Sequence, residues 1–454
     1  MVGHGYEREW NAGEVRCKPK QLPWDQLVPE WASMPVPTVA PSRNLPALKD
    51  TQTTSELDET LFEVPPSGLT EKERTDAEQA LKCFLQTQHE HFAGFQSAQP
   101  DESFQERFGY LLGVITNNYG DPFAQGRMWL NTKVCERAAL DYFAALWNAP
   151  RPQAGSPNLK KNQNSYWGYV CTLGSTEGSI LALYKAREYL RGMKPDLRSP
   201  SANDRPPVLF YSQSTHFSSK KGSVLLDLCV FQEAGRSYYP GQCPITKSGD
   251  WPDAVPCHDF DDKPSSGSIN IEALTALVTF FTHRNHPIIV VANMGTTWKG
   301  AHDDIPAIQK MFHDLGEVYP WLWKREVQCG FDKQGKPHFE TRRGFWLHVD
   351  AALGGGYGPF LEMACNRGEL RDNSQPPLFD FRFPAVMSLC CSIHKWMGAP
   401  LPAAVFMTRR EYQTAWMQMV HLTARLLEHQ GLALAPPSCG ITYPERVTKI
   451  ASKK

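Results

Sequence analysis

The sequence predicts an α/β fold, a mostly parallel central sheet flanked by helices. Three observations lead there. From about residue 165 onward, short apolar runs alternate with amphipathic segments. The runs Val208–Ser212, Pro287–Asn293, Phe345–Asp350, Val386–Ser392 and Ala403–Thr408 are nearly continuous in apolar residues, the pattern of strands buried on both faces. Between them lie helical stripes such as Ile271, Leu274, Val278 and Phe281, opened by the cap residue Asn270.

Taken in order, the elements suggest four parts. Residues 1–66 carry nine prolines from Pro19 to Pro66, which interrupt any helical or strand period. This stretch reads as an extended or disordered arm, laid over a neighbour through Trp24, Leu27 and Trp31. Residues 67–150 form an N-terminal helical segment. Thr70 and Glu73 make a capping box ahead of a stripe of Ala77, Leu81, Phe84 and Leu85. A second helix is expected from about Thr132 to Trp147, with Cys135, Ala138, Ala139, Tyr142, Ala145 and Leu146 on one face. Residues 151–412 are the large ligand-binding domain. Within it, Asp196–Pro207 and Trp321–Gly344 read as inserted loops, and Leu353–Gly356 as a turn that permits close backbone approach. Asp303 and Asp304 are expected to cap a helix beginning near Ile305. Residues 413–454 read as a truncated or atypical C-terminal segment, irregular over Leu434–Lys454.

Composition narrows the function. The 454 residues carry 47 Lys+Arg against 48 Asp+Glu, for a net charge of −1. That balance argues against a nucleic-acid binder or a membrane-surface protein. With 41% hydrophobic residues and a mean hydropathy of −0.43, the chain has a globular composition, and no apolar run approaches the roughly 18 residues of a spanning helix. Met1–Trp10 contains no apolar stretch, which argues against a secretory leader. The twelve cysteines are scattered without a C-x-x-C pair. They read as reduced, buried thiols of a cytoplasmic protein, and no metal site is expected.

In an open α/β sheet, ligands gather beyond the carboxyl ends of the strands. The residues there are Thr215 and His216 after the first run, Thr296 and Thr297 after the second, Asp350 at the end of the third, and His394 and Lys395 after the fourth. Upstream, Gly174-Ser175-Thr176-Glu177-Gly178 leads into a helix, and its free N–H groups and hydroxyls make a seat for an anion. Singly, each has a plainer reading: a helix cap, a hydrogen-bonded histidine, an aspartate capping a loop. Lys395 directly after an apolar strand is harder to explain structurally, because lysine is seldom buried without a partner. A phosphate seat, a carboxylate and a lysine on one edge suit pyridoxal 5'-phosphate. That cofactor needs an amine for its imine and an acid facing its ring nitrogen.

Six motifs in order carry a family resemblance: Asn117-Asn118-Tyr119-Gly120-Asp121-Pro122-Phe123, Gly174–Gly178, Thr215-His216-Phe217-Ser218, Gly295–Gly300, His348–Ala352 and Ser392-Ile393-His394-Lys395. Over roughly residues 105–410 the chain resembles the group II pyridoxal-phosphate-dependent amino acid decarboxylases, most of all the histidine/serine decarboxylase branch. The resemblance implies the aspartate-aminotransferase-like fold (fold type I), a homodimer with sites near the subunit interface, and α-decarboxylation of an L-amino acid. By the same resemblance, Lys395 is the Schiff-base lysine and Asp350 the partner of the ring nitrogen. His216 is the imidazole stacked on the ring near the substrate carboxylate, and Ala352 the small residue on the other face. Ser175, Thr176, Ser392 and His394 take phosphate-pocket positions, and Thr297 lies near the ring oxygen. After Lys395 only 59 residues follow, where the family has a longer segment, so the C-terminal domain is expected to be truncated. Two alternatives stay open at this point: an impaired paralogue that serves as a dimer partner, and another fold type I enzyme such as an aminotransferase or aldehyde synthase.

Overall fold

The computed structural model describes residues 57–91, 103–114, 122–123, 131–152, 164–192, 205–257, 266–331, 334–370, 375–399 and 401–413. The expectations for Trp24, Leu27, Trp31, Asn117–Asp121, most of Asp196–Pro207 and residues 414–454 lie outside them. The chain divides into two compact units, Met1–Ala93 and Gly94–Lys454. The first holds helix α1 (Glu71–His91). Its start is the expected capping box: the Thr70 amide donates to Glu73 Oε2 at 2.7 Å, and the Glu73 amide donates to Thr70 Oγ1 at 3.3 Å.

In the second unit the described elements run α2 (Phe104–Phe108), α3 (Lys133–Leu146), β1 (Tyr166–Cys171), α4 (Ser175–Arg191), β2 (Val208–Phe210), α5 (Ser218–Leu225), β3 (Cys229–Val230) and α6 (Phe231–Tyr238). They continue with α7 (Ile271–Thr282), β4 (Ile288–Asn293), α8 (Ile305–Val318), β5 (Arg325–Phe331), β6 (Pro337–Arg342), β7 (Phe345–Asp350), α9 (Gly354–Asn366), β8 (Val386–Ser392) and β9 (Ala404–Arg409). Seven strands form one sheet in the order β1-β9-β8-β7-β4-β2-β3. β2, β3, β4, β7 and β8 are mutually parallel, and β9 runs antiparallel to both its neighbours, β8 and β1. The sheet is therefore mostly parallel, as the sequence predicts.

Its centre is dry. Every residue of β4, β7 and β8 is buried. Adjacent cysteines show how both faces are covered, because neighbouring side chains in a strand point opposite ways. A Cβ on Gly178 of α4 would meet Cys390 Cβ at 2.8 Å, and one on Gly355 of α9 would meet Cys391 Cβ at 2.9 Å. Glycine at these two positions lets a helix lie against each face of β8.

Several expectations need correction. Trp321–Gly344 is not a loop: it contains the antiparallel hairpin β5–β6. Its polar composition hid the strands because its arginines cap a helix. Arg325 Nη1 donates to the Leu190 carbonyl at 2.8 Å, and Arg342 Nη1 to the Tyr189 carbonyl at 2.9 Å, both at the C-terminal end of α4. Leu353–Gly356 makes the close approach expected of it, since a Cβ on Gly354 would meet the Met294 carbonyl at 2.5 Å, but it is the first turn of α9 and not a free turn. In α3 the helix is where the periodicity puts it, but the face is turned. Leu140, Phe143, Ala144 and Leu146, with Trp147 beyond, are buried; Leu146 alone belongs to the expected face, and Cys135 is exposed. The larger side chains outweigh the smaller Cys–Ala stripe. Asn270 and Asp304 cap α7 and α8 by accepting from the Ala273 and Ala307 amides, both at 2.9 Å. Asp303 does something else, described below.

Candidate functional site

Because β2, β4, β7 and β8 are adjacent and parallel, the segments that follow them lie along one edge of the sheet. β1, antiparallel to β9, delivers its own following loop to the same edge. The nine residues assigned by resemblance all lie there or in the helices these loops open.

On one side is a hydroxyl cradle. Gly174 adopts φ +74°, ψ −169°, a conformation open essentially to glycine alone, and a Cβ there would meet His394 Cε1 at 3.0 Å. This backbone turns the chain into α4, whose first-turn amides have no partners within the helix. The Ser175 amide donates to Ser392 Oγ at 3.2 Å, and Ser392 Oγ donates to Ser175 Oγ at 2.9 Å, which joins the start of α4 to the end of β8. Glu177 reaches back to accept from the Thr172 and Leu173 amides at 2.8 and 3.0 Å. Thr176 is half-buried beside them. His394 Nδ1 lies 2.9 Å from the Ala403 carbonyl and 3.2 Å from the Ala403 amide, which holds the ring under Gly174.

The other side is built on β7. Asp350 is buried, and its Oδ1 accepts from the Ala352 amide at 3.1 Å. Among the described residues, its Oδ2 has no hydrogen-bond partner. Ala352 also accepts from the Ser392 amide at 3.1 Å, so one alanine couples the acid to the cradle. Burial pushes Asp350 upward; the Ala352 amide and the charges of His216 and Lys395 pull it back down. His216, half-buried, is pushed below the usual histidine range by burial; the charge of Asp350 opposes that shift and Lys395 adds to it. The acid, the imidazole and the amine thus lie within each other's electrostatic reach. Next along β7, burial pushes His348 down to about 3, so it stays neutral; its Nδ1 lies 2.9 Å from Ser388 Oγ. Thr297 is half-buried in the turn after β4.

A supporting network escaped the sequence reading. Asn293, the last residue of β4, donates through Nδ2 to Asp303 Oδ2 at 2.8 Å and to Thr215 Oγ1 at 3.0 Å. Thr215 in turn accepts from the Ser212 amide at 3.0 Å. Asp303, expected to be a helix cap, instead accepts from the backbone of Ile269 at 2.7 Å and of Asn293 at 2.6 Å. This network anchors the loop that carries His216. A polar Asn ending an apolar strand was its one signal in the sequence. Ser218 was likewise noted in a motif but given no role; its hydroxyl is 2.9 Å from His216 Nδ1. Among the described residues no cluster of three or more His, Cys, Asp or Glu could hold a metal ion.

An anion seat at the start of α4, where a Cβ on Gly174 would crowd the His394 ring, a buried carboxylate with an unpartnered oxygen and a nearby amine fit one group. They define an α/β protein that binds pyridoxal phosphate. Comparison with known proteins gives the particular family. Residues 263–443 match the model of the pyridoxal-dependent decarboxylase conserved domain. The chain is similar to a histidine decarboxylase of Mesorhizobium japonicum, at 30% identity over 66% of this chain and 56% of that protein. It is also similar to serine decarboxylase 2 of Oryza sativa subsp. japonica, at 27% over 66% and 44%. Among solved structures it is similar to the L-methionine decarboxylase of Streptomyces sp. 590, with 37% identity, a TM-score of 0.71, and coverage of 79% of this chain and 72% of that one. The chain belongs to the pyridoxal-dependent decarboxylase family and has the fold of the fold type I enzymes. It spans about half the length of the histidine and serine decarboxylases it matches.

Proposed function

We propose that the protein is a carboxy-lyase that removes the α-carboxylate of an L-amino acid as carbon dioxide and leaves the amine. The observation that carries this reading is the electrostatic grouping of Lys395, Asp350 and His216 beside the Ser175–Ser392 cradle. Bound pyridoxal phosphate supplies an aldehyde for an amine and a ring that accepts the electron pair left when the Cα–carboxylate bond breaks.

The roles of this chain's residues follow from their surroundings. Ser175, Thr176, Ser392 and His394 would hold the phosphate at the positive end of α4, where the first-turn amides and the helix dipole add to the hydroxyls. Lys395 offers the tethering amine. Asp350, burdened by burial and short of one partner, gains by pairing with a protonated ring nitrogen and keeps that proton in place. His216 and the small Ala352 would take the two faces of a bound flat ring, and Thr297 would offer it a hydroxyl.

The reading extends to assembly and location. Leu173, Phe217, Trp298 and Leu401 are 77%, 67%, 86% and 70% exposed, and all lie in loops at the edge that carries the site. Apolar side chains so placed favour a homodimer that buries this rim. The ten described cysteines are free thiols, which favours a reducing, cytoplasmic setting, and no described helix is long and apolar enough to cross a membrane. The test is a visible spectrum of the purified protein with pyridoxal phosphate, followed by a screen of amino acids for carbon dioxide release and a sedimentation measurement. A cofactor band with amine formation is expected. Keto-acid or aldehyde formation without carbon dioxide and amine would replace the decarboxylase reading by one of its fold type I relatives.

A further inference from the structure

His216 meets its own loop in an informative way. Its Nδ1 lies 2.9 Å from Ser218 Oγ and also accepts the backbone N–H of Ser218 at 3.3 Å. A hydroxyl can turn to donate or accept, so the first contact leaves the tautomer open. The second does not. A backbone N–H only donates, and it cannot point at a ring nitrogen that carries its own proton. Nδ1 must therefore be the bare nitrogen, and the ring proton must reside on Nε2. Among the described residues, Nε2 has no hydrogen-bond partner.

We infer that Ser218 is a positioning residue that locks His216 as the neutral Nε2–H tautomer, so that the imidazole presents the site with a hydrogen-bond donor and not a base. Ser218 is the first residue of α5, where the amide has no partner within the helix, so donation to His216 costs the helix nothing. The charged groups that face the ring are Asp350 from β7 and Lys395 from the segment after β8. They act in opposite directions, and burial adds to the preference for the neutral ring.

The consequence for the proposed reaction, on whose reading this point rests, is specific. A neutral imidazole with its proton on Nε2 can hold a carboxylate oxygen by donation. It cannot take up a proton at Nε2, and it is far too weak an acid to give one away there. His216 then orients the α-carboxylate of an amino acid, and the proton that replaces carbon dioxide on Cα comes from another group.

The test is nitrogen-15 NMR of the full-length, cofactor-loaded protein labelled at histidine, with the His216 signals assigned by their loss in His216→Gln. Across the neutral range, Nδ1 is expected at the pyridine-type position and Nε2 at the pyrrole-type position. A protonated Nδ1, as the other tautomer or as imidazolium, would overturn the inference. Ser218→Ala keeps the backbone N–H that fixes the tautomer, so Nδ1 is expected to stay pyridine-type while its signal shifts with the loss of the hydroxyl contact, and Ser218→Thr is expected to restore it. A Ser218→Ala spectrum identical to wild type would refute the role of the hydroxyl. None of these readouts depends on turnover, so a failed decarboxylase assay and a failed tautomer assignment remain separate results.

Discussion

The two sides of the sheet edge are built on opposite principles. In the cradle, protein groups satisfy one another: Ser175 with Ser392, Glu177 with the Thr172 and Leu173 amides, His394 with Ala403. Around Asp350 they do not, since one carboxylate oxygen and the outer nitrogen of His216 have no partner among the described residues, and both groups are shifted toward neutrality by burial. A region that is complete without a ligand is a preformed socket. A region that leaves polar atoms of a buried acid and a half-buried imidazole without protein partners offers them to a ligand of matching charge. The first sets where a phosphate sits, and the second sets which ring chemistry is favoured beside it.

The sharpest break comes from the unpaired side. Lys395→Ala is expected to lower turnover by several orders of magnitude, and borohydride should no longer fix cofactor to the protein; covalent labelling that persists at another residue would move the amine elsewhere. Asp350→Asn keeps the shape and removes the charge, so turnover should fall roughly a hundredfold or more while cofactor is still retained. Its effect on stability should run the other way. The folded pKa of Asp350 is raised above 3.8, so the folded protein holds that proton more tightly than the unfolded chain, and this carboxyl favours folding least once pH exceeds its folded value. Asp350→Asn should therefore raise the melting temperature of the cofactor-free protein at neutral pH, and the gain should vanish in acid. Loss of both stability and activity at neutral pH would mean the acid is already well paired by the protein.

The cradle offers the next largest effect. Gly174→Ala places a side chain in a glycine-only conformation, at an expected cost of about 1–3 kcal/mol. Its Cβ also crowds the His394 ring. Urea unfolding should report the loss of stability and a cofactor titration the weakened hold. A variant weakened in stability alone would leave the socket to the hydroxyls.

The same contrast explains what was legible in the sequence. Strands β4, β7 and β8 were visible because complete burial writes itself as unbroken apolar runs. The residues with chemistry were visible because they follow those runs: His216, Asp350 and Lys395 each stand where a strand ends. β1 is an edge strand whose Tyr-Trp-Gly-Tyr run is only partly covered, and it was missed among the apolar runs. The β5–β6 hairpin was missed because its arginines serve the end of α4 and not a core of their own. The ties among Asn293, Thr215 and Asp303 could not be read at all, because they join residues up to 78 positions apart that only the parallel sheet brings together. Local pattern reveals elements and their ends; it does not reveal which ends share a hydrogen bond.

The smallest effect lies behind the site, where the two sides meet. Tyr357 of α9 has its hydroxyl 3.0 Å from His302 Nε2, and its ring faces Trp396, the residue after Lys395, at 6.4 Å between centroids. The loop after β4, helix α9 and the lysine segment are thus linked through one tyrosine. Tyr357→Phe keeps the ring packing and removes the hydroxyl, leaving a half-buried nitrogen without its partner, at about 1 kcal/mol. Urea midpoints at mildly alkaline pH should show that loss with the cofactor band little changed. Burial holds His302 below its ordinary 6.5, so the unfolded chain takes up its proton first on acidification, and the parent protein should lose stability as pH falls below that value. If Tyr357→Phe instead shifts the visible band of bound cofactor as much as Gly174→Ala does, this link belongs to the binding machinery and the two sides of the site are less independent than their hydrogen bonds suggest.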